Sequence, residues 1–254
     1  MNSYFNLVKP SYIENWPSGL INHSISTVHF KLTDEQVHAL IACNYSMVES
    51  GFVPSEEEKA ALKELEKILD RYIVQFPKGA FIRLGSRSPK DSYNAYKRLY
   101  CYHSGLEAID ALCDSERIHD DLHLAKVNNY TPHLVVREWV KIEPWQEFRA
   151  FYKNRKLVGV SQYNYLSNDV YPEIEELKDT IIWAIEIKSK MLAPLFPVDD
   201  IVADYIYKVQ NRGSERISEV VLLEINPFMV YTDPCLFDWS KDSFEIFEFR
   251  YNKE

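Results

Sequence analysis

Five of the six residues from Val220 to Ile225 are apolar, and the sixth is a glutamate. A run this dense in β-branched and leucyl side chains reads as a strand packed on both faces. Glu224 lies inside it and Asn226 two positions on, so both side chains leave the same face of the strand. A carboxylate in such surroundings is costly unless it is paired or coordinates a metal. Pro227 has no N–H to donate and ends the ladder. A second apolar run, Asp200–Tyr207, carries Asp204. Between the two runs, Asn211-Arg212-Gly213-Ser214 has the turn chemistry of an antiparallel pair, which would bring Asp204, Glu224 and Asn226 to one sheet face. Three oxygen donors without sulfur or imidazole suit a hard cation such as magnesium, with phosphate oxygens and waters completing its octahedron. Idle, solvated acids at strand ends account for the same residues.

With 254 residues the chain can bury one large core or build two lobes. A net charge of -9 argues against broad nucleic-acid binding, which needs basic surface to displace counterions. No apolar run approaches the roughly 20 residues that span a bilayer. The first residues lack the basic start and apolar core of a signal peptide, so a cytoplasmic protein without membrane contact is expected. Cys43, Cys101, Cys113 and Cys235 show neither close pairing nor zinc-ligand spacing and fit reduced thiols. There is no Gly-x-x-x-x-Gly-Lys loop, so a bound nucleotide would not rest on a P-loop.

Along the chain, residues 1–24 read as irregular, and Val28, Phe30 and Leu32 as a half-buried strand. Thr33-Asp34-Glu35-Gln36 is a capping box for a helix to about Val48. Gly51 and Pro54 break the chain, and Ser55 caps a long helix with an apolar stripe through Leu65, Leu69 and Ile73. After a strand at Ala80–Leu84, the stretch Arg83-Leu84-Gly85-Ser86-Arg87-Ser88-Pro89-Lys90-Asp91 sets three cations and two hydroxyls around a glycine. That composition suits a phosphate-binding loop and equally a solvated basic turn. Two or three helices follow from Ser92 to about Val127. His103, His119 and His123 show no repeated ligand spacing there and read as surface or capping residues. Leu134–Val140, Gln146–Tyr152 and Leu157–Tyr163 read as a three-stranded antiparallel meander. Glu147 and Arg149 share a face of its middle strand, as a cross-strand ion pair or as ligand contacts. A helix from Pro172 to about Met191 precedes the hairpin.

Together, Phe81–Asp91, Leu134–Tyr163 with Glu147-Phe148-Arg149, Asp204, Leu223–Phe228 and Thr232–Trp239 resemble the cell division cycle protein 123 family, a divergent branch of the ATP-grasp fold. The resemblance covers most of the chain from about Phe81 to Trp239. It implies an α+β, ATP-grasp-like architecture: two lobes with antiparallel sheets and flanking helices, enclosing a nucleotide cleft. The whole of residues 1–254 would form one such unit, with lobes of about 55–139 and 140–254 and the segment 1–54 packed on them. ATP and Mg2+ are the implied ligands. Asp204, Glu224 and Asn226 fall on magnesium positions, and Arg83 falls where eukaryotic relatives tend to carry a phosphate-binding lysine. Ser86, Arg87, Lys90, Glu147 and Arg149 are the further ATP contacts expected. The backbone of Arg137–Val140, including Trp139, falls on the hinge that would meet the adenine edge. The implied role is ATP-dependent assembly or binding, with the gamma subunit of translation initiation factor 2 as partner if the source is a eukaryote. The alternative is an ATP-grasp ligase or phosphotransferase acting through an acyl-phosphate-type intermediate, for which no catalytic residue is assigned. Two positions depart from that alternative: Val202 stands where such ligases often carry an arginine, and Pro227-Phe228-Met229 replaces their Pro-Gly loop.

Overall fold

The computed structural model describes residues 3–48, 52–167, 169–212 and 215–253. Its helices and strands, in chain order, are α1 (Ser3–Val8), α2 (Ser18–Ile21), β1 (Thr27–Lys31), α3 (Asp34–Val48), α4 (Glu56–Ile73), β2 (Ala80–Leu84), α5 (Tyr93–Lys97), α6 (Gly105–Cys113), α7 (Glu116–Val127), β3 (His133–Glu138), β4 (Glu147–Lys153), β5 (Lys156–Gln162), α8 (Pro172–Leu192), β6 (Ile201–Arg212), β7 (Glu215–Pro227) and β8 (Glu248–Arg250). The chain forms two compact units, Met1–Glu14 with Ser26–Val140 and Asn15–Ile25 with Lys141–Glu254. No described helix is long and apolar enough to cross a membrane.

The first unit is built on a three-stranded antiparallel sheet in the order β1-β3-β2. One face is apolar: Ile82, Leu84, Leu134 and Val136 meet Leu65, Leu69 and Ile73 of α4 and Leu112 of α6. The period of two along each strand sends Thr27, His29, His133, Arg137 and Arg83 to the opposite face. Local chemistry starts the helices where the sequence places them. Gln36 N–H donates to Thr33 Oγ1 at 3.2 Å while Thr33 N–H donates to Gln36 Oε1 at 3.0 Å, closing the expected capping box. Ser55 and Glu58 do the same for α4. The segment read as irregular is instead largely helical, with short 3-10 turns after α1 that include Pro10. Phe5, Ile13, Trp16 and Leu20 are buried along it, and this packing orders a stretch too short for a helical period to stand out.

The second unit carries a five-stranded sheet in the order β7-β6-β4-β5-β8, antiparallel except where β8 runs along β5. On one side lies α8, whose Ser189 hydroxyl is 2.5 Å from the Tyr152 hydroxyl, itself 2.8 Å from that of Tyr205. On the other side the segment after β7 lays Phe228, Phe237, Trp239 and Phe244 around Phe151 and Val202. The expected meander is overturned, because β3 belongs to the first sheet. Both edges of β3 are filled by β1 and β2, so β4 finds its partners in β5 and β6. Pro144 opens a 3-10 turn between β3 and β4 and interrupts the extended chain. β6 and β7 form the expected hairpin, although Gly213 and Ser214 of its turn lie outside the described residues.

Gly159 of β5 lies under the Phe237 ring, and a Cβ there would stand 2.8 Å from Phe237 Cζ. Gly159→Ala is therefore expected to destabilise the protein by about 1–3 kcal/mol through overpacking, read from urea unfolding midpoints at unchanged m.

Candidate functional site

The register of the five-stranded sheet sets one polar row across it. Arg250 of β8 is opposite Ser161 of β5, Ser161 opposite Arg149 of β4, Arg149 opposite Asp204 of β6, and Asp204 opposite Glu224 of β7. At the centre, Arg149 grips Asp204 with two parallel bonds, Nε to Oδ1 and Nη2 to Oδ2, both 2.8 Å. Arg149 is 6% exposed and Asp204 2%, so little water screens the pair. Burial works against the Arg149 charge, but the Asp204 carboxylate outweighs it and holds the guanidinium well above its usual range. The third guanidinium nitrogen donates to the Asp233 carbonyl at 2.6 Å, and the Tyr163 ring lies 4.9 Å from Arg149 Cζ. Asn226 Nδ2 donates to Asp204 Oδ2 at 3.2 Å.

The structure thus brings together Arg149, Asp204 and Asn226, with Glu224 next across the ladder. Glu147 shares the Arg149 face of β4, with Ile206 opposite it. The donor set is all oxygen and suits magnesium in kind. A carboxylate has about four lone-pair sites. The bonds from Arg149 and Asn226 occupy three on Asp204, which leaves one for a metal. Among the described residues, no group of three or more His, Cys, Asp and Glu side chains is arranged to hold a metal ion.

The basic loop belongs to the first unit. Arg83 is buried, and its guanidinium closes the loop from within, Nε donating to Leu84 O at 2.9 Å and Nη2 to Ser86 O at 3.1 Å. Arg87 lies 3.6 Å from Asp121, while Lys90 is exposed. Arg137 shares the polar sheet face with Arg83, and its Nε donates to Thr27 Oγ1 at 3.1 Å. At the end of β3 the Glu138 and Trp139 amides are bonded to Ser26 O and Gly79 O, and the Trp139 indole N–H donates to Leu99 O. Val140 is half-buried beyond them.

Other residues join these centres through contacts that the sequence does not show. Asp233 and Leu236 attach the chain after β7 to the polar row, Asp233 through its carbonyl and Leu236 through an N–H to Ser161 Oγ at 3.1 Å. Glu14 packs directly on Gly85, where a Cβ would stand 1.5 Å from its Oε2. The Tyr130 hydroxyl donates to Glu14 Oε1 at 2.7 Å, but Oε2 has no partner among the described residues. Burial raises the Glu14 carboxyl above its usual range, and the bond from Tyr130 opposes it only in part.

The two sheets and their helices define a mixed α+β protein with a buried guanidinium–carboxylate fork at the centre of its larger sheet. The chain belongs to the D123 family, whose model matches residues 34–246. Over 110 residues it is 38% identical to the cell division cycle protein 123 of Candida glabrata, covering 42% of this chain and 28% of that protein. Over 114 residues it is 34% identical to the translation initiation factor eIF2 assembly protein of Xenopus laevis, covering 44% of this chain and 31% of that protein. The chain thus matches less than a third of the length of these curated relatives. Its fold is that of Cdc123 from Schizosaccharomyces pombe, at 20% identity, with a TM-score of 0.73 over 92% of this chain and 90% of that one.

Removing one member of the fork strands a buried charge. Asp204→Leu is expected to cost about 3–5 kcal/mol, and the double variant Arg149→Met/Asp204→Leu to regain most of it, in a denaturant double-mutant cycle. Glu14 gives a pH signature. Its folded pKa is raised, so the native state holds a proton that the unfolded state has already lost, and stability falls as pH rises through that window. Glu14→Gln removes this fall. Its stability relative to the wild type should therefore rise as pH is raised above the unfolded carboxyl range of about 4.3, measured by urea unfolding at each pH.

Proposed function

We propose that this chain binds ATP with magnesium and acts as an assembly or binding factor for translation initiation factor 2, engaging its gamma subunit. The observation that carries the reading is the Arg149–Asp204–Glu224 row with Asn226, on a chain whose curated relatives are named for assembling that factor. In this reading Asp204, Glu224 and Asn226 would hold the magnesium, which would neutralise phosphate charge. Glu224 and Asn226 are half-buried and can present oxygen to it, and Asp204 contributes its one remaining lone-pair site. Arg149 would then hold the Asp204 carboxylate in place by the same two-bonded fork. Arg83, which also holds the Leu84 and Ser86 carbonyls, would meet phosphate together with Arg87 and Lys90.

The ligase alternative finds no support in the residues at its two departures. Val202 is fully buried in the aromatic cluster with Phe151 and Phe237. Phe228 stacks edge-on against Trp239 at 4.8 Å and Phe244 at 5.2 Å. Both positions are spent on packing, which leaves no charge there to stabilise a developing anion.

Calorimetry tests the reading. ATP should bind in the presence of magnesium with about micromolar affinity, roughly -8 kcal/mol. Binding should weaken when magnesium is chelated and become less magnesium-dependent in Glu224→Gln. Lys90→Ala and Arg87→Ala should each weaken ATP about tenfold or more while changing AMP less, because AMP lacks the distal phosphates. Absence of ATP binding with magnesium present overturns the nucleotide reading. Failure to bind the isolated gamma subunit of factor 2 overturns the partner.

A further inference from the structure

The α7 helix of the first unit holds a second constellation, built of imidazoles rather than oxygens. His119 and His123 are four residues apart, so they stand one turn above the other on the same helix face. Their Nε2 atoms are 3.1 Å apart and turned toward each other. Tyr45 of α3 packs edge-on against both rings, with centroids at 5.0 and 6.4 Å, and restrains their orientation. The His119 side chain is only 18% exposed. Its other ring nitrogen, Nδ1, lies 3.9 Å from the exposed Asp120 carboxylate, on the side away from His123.

We propose that His119 and His123 form a two-point chelate for a divalent transition cation of the Zn2+ class. Imidazole nitrogens bind zinc at about 2.0–2.1 Å, which puts two ligands of a tetrahedral ion about 3.3 Å apart. The observed 3.1 Å lies within a small rotation of both rings from that spacing. A hydrogen bond between the two nitrogens also accounts for the distance in the absence of metal, and a cation replaces that shared proton. Imidazole is a poor ligand for magnesium and a good one for zinc, copper and nickel. The site is therefore chemically separate from the oxygen set around Asp204. Water or an outside ligand completes the coordination, because Asp120 faces Nδ1 rather than the metal side.

A second histidine pair must be told apart from this one. His29 and His133 of the first unit's sheet have their Nδ1 atoms 2.9 Å apart, and Lys31 adds positive charge beside them. That charge opposes a cation there, whereas the Asp120 carboxylate counters the Lys126 charge beside the α7 pair. The test uses the untagged full chain, Zn2+ alone and no nucleotide, so that it is independent of ATP binding. Calorimetry at pH 7.5 should show one zinc site, weakened by at least about tenfold in His123→Ala and in His119→Ala. The double variant His29→Ala/His133→Ala should retain it. Because a ligating imidazole must be unprotonated, wild-type binding should fall at pH 5.5. Alanine is a strong helix former, and matched far-ultraviolet spectra will show that α7 persists in the variants. A Cu2+ titration gives a second readout, an imidazole–copper visible band present in the wild type and absent from both single variants. No zinc binding by the wild type, undiminished binding in both single variants, or loss in the His29/His133 variant alone overturns the proposal.

Discussion

Arg149 and Asp204 face one another across β4 and β6, and much of the second unit follows from the need to keep that pair intact. Two charges this deeply buried are tolerated only when their hydrogen-bonding capacity is met. The fork meets two of the demands of each partner. The Asp233 carbonyl takes a third guanidinium donor, and the Asn226 amide supplies a third bond to the carboxylate. Asp233 belongs to the segment that closes over the sheet, so the pair ties the register of the central strands to the placement of the chain after β7. The Phe151–Phe237–Phe244 cluster then packs beside the polar row rather than over it. Gly159 provides the room for Phe237 to come this close.

A similar economy governs the first unit. Its sheet has an apolar face for the helices and a polar face carrying Arg83 and Arg137. Arg83 donates to two carbonyls of the loop it introduces. The loop's conformation thus rests on an internal cation, and its surface charge on Arg87 and Lys90. Glu14 sits against Gly85 at the start of that loop, with one oxygen bonded and the other orphaned.

Elements with a local physical cause were legible in the sequence. Thr33–Gln36 and Ser55–Glu58 announce their helices because capping is settled within four residues. The β6–β7 hairpin and the shared face of Glu224 and Asn226 follow from apolar runs and a period of two. The juxtaposition of Asp204 with Glu224 was readable for the same reason, since short-range pairing leaves few registers that keep apolar faces inward. The motifs in series also sufficed to suggest the family, which the D123 match establishes.

What the chain does with those residues was decided in three dimensions. Whether Arg149 answers Glu147, on its own strand, or Asp204, fifty-five residues away, depends on which strand lies beside β4. The meander expectation erred on that same question, because a short loop after β3 says nothing of the two strands that already fill its edges. Arg83 reads as a phosphate ligand by composition, and only the loop's fold shows that its guanidinium donates to the Leu84 and Ser86 carbonyls. Glu14 meets Tyr130 across 116 residues, and no pattern in the chain marks either one. The sequence determined the elements, their apolar faces and the chemical kind of the donors, because these depend on near neighbours along the chain. Tertiary structure decided which charge neutralises which, because ion pairing and burial depend on neighbours in space.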